Sequence, residues 1–308
     1  MTPARWLLPA LLLAGTMAVA QTSNPPANTE NSKSQTGAQT GNKEPAPQAS
    51  NTNPRAKSPP TAKTKQEYDQ YLAAANAPDA ATSEKLAREF EVQFPKSELL
   101  PFLYQVVMTK YQKADNGDKL LDMGRKVLQY DPDNSVALVM NATVLTERTR
   151  TTDLDRDSRL KEATADAQRA LENIRSGNYM LAPSATPAQV QQFKDQIAGM
   201  AYAALGTADL TLENNAAAEQ NLRKAAESPV GKGDAIVWYR LALALDHQNK
   251  YPDADAAITT AVALAPANSA VANMAKNEQG RLKQLAAGGA SPAPKSSSQP
   301  QPEIVPPR

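Results

Sequence analysis

The sequence contains no cysteine and a single histidine, His247, in 308 residues. Without cysteine there are no disulfides, no thiolate metal ligands and no cysteine nucleophile. An exported chain of this kind has no thiol to mispair in an oxidising compartment, and its fold is held by burial alone, which requires a sizeable core. One histidine has no partner for ligating zinc, and no Ser–Asp arrangement accompanies it. His247 therefore reads as a surface or groove residue, and no metal or cofactor is expected. A glycine-rich phosphate loop, H-E-x-x-H and G-x-S-x-G are also missing, so no catalytic residue is nominated and an enzyme is not expected. Asp153-Leu154-Asp155-Arg156-Asp157 looks like the opening of a calcium loop. The sixth and twelfth places of such a loop need Gly and Glu, and here they hold Ser158 and Thr164. We read this stretch as a solvated loop whose acids lie near a helix N-terminus. An excess of one charge is lacking too, with 33 Lys and Arg against 32 Asp and Glu. Nucleic acid would require a strongly basic face, and no such partner is expected.

Long apolar runs are confined to the first 20 residues. Arg5 precedes the run Trp6–Ala14, and Ala18-Val19-Ala20 follows it. This is the pattern of a secretory signal peptide cut before Gln21, and the run is too short to span a bilayer comfortably. A retained membrane anchor is the alternative. No cysteine is available for a lipid-anchored mature N-terminus. From residue 21 to 65 the chain is Asn, Ser, Thr, Gln, Pro and Ala with hardly a large apolar side chain, and 287–308 reads the same way. Neither segment buries enough surface to offset its conformational entropy, so both are expected to be disordered. Segment 21–65 carries 6 basic and 2 acidic residues. It could touch anionic envelope polymers, although dispersed lysines are usually only solubilising.

What remains is 66–286, with 24 basic and 29 acidic residues. It is rich in the helix formers Ala, Leu, Gln, Lys and Glu and poor in glycine. Apolar positions recur every three or four residues, and nothing alternates for long enough to make a half-buried strand. Pro95, Pro132, Pro183, Pro187, Pro229, Pro252 and Pro266 fall between the periodic segments and mark helix boundaries. Thr186-Pro187-Ala188-Gln189 predicts a helix start, with Thr as N-cap, Pro at the first helical place and Gln closing a capping box. Asn134 and Asn268 are expected caps.

The same punctuation appears twice, in VLQYDPDNSVA (127–137) and AVALAPANSAV (261–271). Residues 235–268 place Trp238, Leu241, Ala242, Leu245, Ala254, Ile258, Ala261 and Pro266 at positions 4, 7, 8, 11, 20, 24, 27 and 32 of a 34-residue frame. On these residues the chain resembles the tetratricopeptide repeat family. Positions 4, 7, 8 and 11 share one helix face, positions 20, 24 and 27 a facing one, and small residues at 8, 20 and 27 let the two backbones approach. Further frames begin at 101, 135 and 199; the first two adjoin, and insertions fall within and after the second and after the third. Met108 and Gly124 depart from the pattern in opposite senses and could compensate across the hairpin. Asn141 stands where an apolar residue is expected and Asp209 where an aromatic is usual. Residues 66–100 read as a degenerate hairpin. Residues 269–286 read as a capping helix with Lys276, Glu278, Arg281 and Lys283 on its exposed side.

The resemblance implies an all-α, right-handed superhelical solenoid of antiparallel hairpins. Its repeats are 101–134, 135–177, 199–232 and 235–268, with the tails disordered. Trp238 and its equivalents are core. The first helices line a concave face that, in the family, typically binds a peptide or helix of a protein partner. Carried over by position, that face holds Gln105, Thr109, Gln112 and Lys113; Val139, Thr143 and Glu147; Ala203, Thr207 and Thr211; and Tyr239, Asp246 and His247, with Arg240 at the rim. The set lacks the Lys, Asn and Arg pattern with which some family members clamp a C-terminal carboxylate. Many of these side chains could equally be solvated without a ligand role. Tyr179-Met180-Leu181-Ala182-Pro183 lies in the insertion before residue 199 and should seek cover, on the convex side or across a groove. The expected function is a non-catalytic interaction scaffold, periplasmic or extracellular. The alternative is an envelope assembly or polymer-handling factor that organises enzymes.

Overall fold

The computed structural model describes residues 60–182 and 184–286. The expected signal peptide, nearly all of the expected disordered linker and the expected disordered tail lie outside the described residues, as does Pro183. Within the described residues the chain is all-helical, with eleven α-helices and no strand. These are α1 (Lys65–Ala75), α2 (Ala80–Gln93), α3 (Leu100–Lys113), α4 (Gly117–Tyr130), α5 (Ser135–Arg148), α6 (Arg156–Ser176), α7 (Pro187–Thr211), α8 (Asn215–Glu227), α9 (Ala235–Asp246), α10 (Tyr251–Leu264) and α11 (Ala270–Ala286). The chain forms two compact units that divide within α7, between Ala204 and Leu205. In the N-terminal unit each of α1 to α5 packs on the next helix, and in the C-terminal unit α8 to α11 do the same.

Helix starts follow the capping chemistry. Asp79, Asn116 and Asn134 each accept a hydrogen bond from the backbone N–H three residues on. The capping box at α7 is closed in both directions: the Gln189 N–H donates to Thr186 Oγ1 at 3.3 Å, and the Thr186 N–H donates to Gln189 Oε1 at 2.8 Å. Asn268 does not cap α11. It adopts a left-handed φ of 60°, and Ser269 accepts from the Ala272 N–H at 3.2 Å instead. The Pro-Asn-Ser echo is therefore read one residue later at its second occurrence.

Three helix-to-helix turns share one geometry. Asp115, Glu213 and Asn249 have φ of 54°, 62° and 58°. The next residue in each case donates back across the helix end: Asn116 to the Tyr111 carbonyl at 3.0 Å, Asn214 to Asp209 at 2.8 Å and Lys250 to Leu245 at 3.0 Å. This 6→1 closure satisfies a terminal carbonyl and reverses the chain within a few residues. All three sites fall at the fifteenth place of the frames beginning at 101, 199 and 235. In the frame beginning at 135 that place is Thr149, at φ −92°, and the chain runs on into a longer loop before α6.

The cores rest largely on alanine. In the N-terminal unit Ala74, Ala87, Ala142, Ala163, Ala167 and Ala170 are buried beside Phe90, Leu103, Tyr104, Met123, Leu138, Leu145 and Leu160. In the C-terminal unit Ala218, Ala225, Ala242, Ala254 and Ala261 surround Leu222, Leu241, Leu245 and Ile258. A Cβ on Gly206 would lie 2.5 Å from Leu222 Cγ, so α7 and α8 meet there at glycine distance. One expectation is corrected. Trp238 is half-buried rather than core, with its indole N–H directed at the Lys232 carbonyl 3.4 Å away in the turn before α9, while Val237 beside it is buried. The insertion before residue 199 is mostly helix, in line with the start expected at Thr186-Pro187: α7 begins at Pro187 and runs for 25 residues.

The expectation paired Gly124 with Met108; the three atoms nearest to a Cβ at Gly124 all belong to Asn141 on α5. A Cβ there would lie 1.9 Å from Asn141 Oδ1 and 2.9 Å from its Cγ. Asn141 is fully buried, and neither its Oδ1 nor its Nδ2 has a hydrogen-bond partner. The missing side chain on α4 thus makes the space for the amide on α5. We expect Gly124→Ala to destabilise the chain by about 1–3 kcal/mol through overpacking. Asn141→Ala should be near neutral, since it removes an unsatisfied buried amide. The double variant should recover most of the loss. Urea denaturation of the four proteins measures this, and additive effects would mean that the two residues do not share the space.

Candidate functional site

In the N-terminal unit α3 carries the first group of nominated residues, and its orientation is fixed by a ladder of polar contacts on another face. Glu84 and Glu91 lie seven residues apart on α2, Tyr104 and Tyr111 seven apart on α3, and Lys119 and Lys126 seven apart on α4. Glu84 accepts from the Tyr111 hydroxyl at 2.5 Å, from Arg88 at 2.7 Å and from Lys119 at 3.1 Å. Glu91 accepts from the hydroxyls of Tyr104 and Tyr130, and from Lys126 at 2.9 Å. The Tyr104 and Tyr130 rings stack with centroids 6.1 Å apart. Burial opposes ionisation of Glu84, but the Tyr111 hydroxyl and the two cations outweigh it and bring the carboxyl down to about 2. Glu91 is lowered by the same balance of burial against its two tyrosines and Lys126. Burial, and then the glutamate hydrogen bonds, push Tyr111 and Tyr130 up to about 12.

The structure divides the nominated residues. Gln105 is buried and accepts from the Asn134 amide at 3.0 Å, tying α3 to the cap of α5. Val139 is fully buried and so is unavailable to a guest. Thr109, Thr143 and Glu147 are half-buried and Lys113 is exposed. Gln112 and Thr143 line a shallow notch with Gly117, Leu120 and Arg148. The Thr109 and Thr143 hydroxyls donate to the carbonyls of Gln105 and Val139 in their own helices, at 2.9 and 2.8 Å. A guest therefore meets their lone pairs and methyl groups rather than a free O–H.

In the C-terminal unit Thr207 is buried, and Thr211 donates to its carbonyl at 2.9 Å. Asp246 is buried in an ion pair with Arg281 of α11, and Arg281 also holds Glu278 at 2.6 Å. Glu278 and Arg281 are thus drawn onto α9 rather than left on a solvated outer side as expected, because buried Asp246 requires a cation. Tyr239 is half-buried, its hydroxyl pKa raised first by burial and then by Glu278. Arg240 is half-buried. His247 is exposed, with Nδ1 3.1 Å from Asn215 Oδ1. Beside it Glu219 gathers Lys250 at 2.6 Å, Arg223 at 2.9 Å and Gln248 at 3.0 Å, and ties α8 to the turn before α10. Burial opposes this cluster, but its partners keep the Glu219 carboxyl below the usual range.

Asp209, out of place in the sequence pattern, accepts from the Asn221 amide at 2.9 Å, although burial still raises its carboxyl. Asp153 accepts from the Arg150 N–H at 2.8 Å, and Arg159 lies 3.8 Å from both Asp153 and Asp155. The acids of this loop are thus occupied by the chain itself. Among the described residues no group of three or more His, Asp or Glu could hold a metal ion. Also among them, no helix is long and apolar enough to cross a membrane.

One concavity was not nominated from the sequence. Between α6 and the first half of α7 lies a groove of about 560 Å³, with Leu171, Ile174, Ala198 and Tyr202 on its walls and Glu172, Arg175, Lys194 and Asp195 among its polar lining. Tyr179 packs on Phe193 with centroids 5.5 Å apart, and Lys194 lies 5.5 Å over the Tyr179 ring. The apolar loop stretch thus finds cover on α7. The signal was present in the sequence: Val190, Phe193 and Ile197 continue the helical spacing directly after the capping box. No family model matches the chain, and no curated protein matches its sequence.

The lowered pKa of Glu84 has a pH consequence. A carboxyl depressed on folding adds stability that is present above its unfolded value, near 4.5, and is lost as pH falls through about 2. The side chain is 9% exposed, so solvent screening is slight. Glu84→Gln should therefore cost about 2–4 kcal/mol at pH 7 and much less at pH 2. Thermal unfolding followed by circular dichroism from pH 2 to 7 measures it, and a pH-independent difference would show that the charge of Glu84 is not what stabilises the ladder.

Proposed function

We propose that this chain is a non-catalytic, tetratricopeptide-like scaffold that binds a peptide or helical segment of a protein partner. The observation that carries the reading is the shared left-handed turn at Asp115, Glu213 and Asn249, which falls at one place of a 34-residue frame. A turn repeated at one place of successive frames, between helices joined along alanine seams, is what stacked helical hairpins require. Such arrays present a preformed surface, and the side chains left on the nominated helices suit polar recognition. Thr109 and Thr143 offer acceptors, Lys113 a free cation and Glu147 a carboxylate on the N-terminal unit. Tyr239, Arg240 and His247 offer an aromatic edge and two donors on the C-terminal unit. The Arg5, Trp6–Ala14 and Ala18-Val19-Ala20 pattern supports export, and with it a partner in the periplasm or outside the cell.

The test is affinity capture from envelope extract with in-cell crosslinking, comparing the full chain with two surface variants. Lys113→Glu with Glu147→Lys alters the N-terminal unit, and Tyr239→Ala with His247→Ala alters the C-terminal unit. At least one pair should lower recovery of a specific crosslinked protein about tenfold or more with helix content unchanged, as removal of a binding hot spot does. If both variants recover the same proteins as the parent chain, or if the purified chain alone cleaves envelope polymer, the proposal fails.

A further inference from the structure

The contact between α4 and α6 sets three carboxylates against two arginines, and both arginines are committed elsewhere. Arg125 of α4 holds Glu162 of α6 through Nε at 3.1 Å and Nη2 at 2.9 Å. Two turns further along α6, Arg169 holds Asp133 in the α4–α5 turn at 2.8 Å, and the Asn173 amide donates to the Asp133 carbonyl, also at 2.8 Å. Asp166 stands between these attachments, four residues from Glu162 and three from Arg169, on the same helix face. Its Oδ2 is buried without a hydrogen-bond partner. The charges acting on it are Glu162 and Arg169 of its own helix and Arg125 of α4, and Asp122 acts in turn on Arg125.

We propose that Asp166 is a proton-operated release for α6. Protonated, it leaves Arg125 with Glu162 and Arg169 with Asp133. Ionised, it gains a partner only by drawing one of these arginines away, which loosens α6 from α4 and from the turn before α5. Burial first, and then the neighbouring Glu162 charge, push the Asp166 carboxyl up to about 7 against the pull of the two arginines. The sign follows from linkage. A carboxyl raised on folding costs nothing below its unfolded value near 4, and stability is lost as pH climbs from there through about 7. This is the reverse of the Glu84 effect and occupies a different pH window.

The full chain can be tested by ¹³C-carboxyl NMR together with hydrogen-exchange protection factors corrected for the intrinsic pH dependence of exchange. Asp166 should titrate within a unit of 7, and protection across α6 should fall about fivefold or more from pH 6 to pH 8, since the ionised fraction then passes from minor to dominant. In Asp166→Asn that protection should be flat. In Glu162→Gln the Asp166 midpoint should move down, because the repelling charge is gone. The second variant keeps the test decisive if the first does not fold. A midpoint below 5, α6 protection that is independent of pH in the parent chain, or the same fall in Asp166→Asn would each overturn the proposal.

Discussion

The constraint on which this structure depends is the close approach of helices over alanine and glycine. Ala142, Ala163, Ala167 and Ala170 in one compact unit, and Ala218, Ala225, Ala242 and Ala261 in the other, are buried where larger side chains would hold the helices apart. An alanine seam removes little apolar area per residue, so its stabilisation accumulates only over many turns of helix. It also leaves little slack. Gly124 admits the Asn141 amide, and Gly206 admits Leu222, at separations that a Cβ would not allow. The tight turns follow from the same demand, because helices this close must be joined by few residues. Asp115, Glu213 and Asn249 accept a left-handed backbone for that purpose.

Thin seams leave long polar side chains at the margins, where they provide cross-helix links that alanine does not. The ladder of Glu84 and Glu91 with Tyr111, Tyr104, Lys119 and Lys126 repeats at seven-residue intervals because two helical turns return each helix to the same face. Glu219 with Lys250, Arg223 and Gln248, and Asp246 with Arg281, do the same for the C-terminal unit. Glu84, Glu91 and Glu219 are each kept charged by several donors at once, which is the condition under which a buried charge is tolerated. Asp166 and Asp255 are exceptions, each with a buried carboxylate oxygen that accepts no hydrogen bond.

These links bear on the proposed binding surface. The faces fixed by the ladder and by Asp246–Arg281 are used within the fold, and α11 covers part of the α9 face nominated from the resemblance. What stays accessible is a smaller set: Lys113 and His247 in full, and Thr109, Gln112, Thr143, Glu147, Ala203, Thr211, Tyr239 and Arg240 in part. The groove between α6 and α7 adds a concavity whose apolar walls and mixed charges differ in character from the nominated positions.

The sequence by itself determined the helices and much of their punctuation, because these are local. Apolar spacing of three to four residues, proline at boundaries, and Thr186-Pro187-Ala188-Gln189 each act through a few neighbouring bonds, and α7 begins where that box says it should. Only the tertiary structure decided what faces what. Gly124 and Asn141 were both visible as departures, but nothing in the chain order says that one makes room for the other. The residue that covers Asp246 is 35 positions away on another helix, and Trp238 lies half-exposed because its cover depends on the turn before α9. Burial and ion pairing are properties of surfaces brought together by folding, and one chain read in order carries no distance between them.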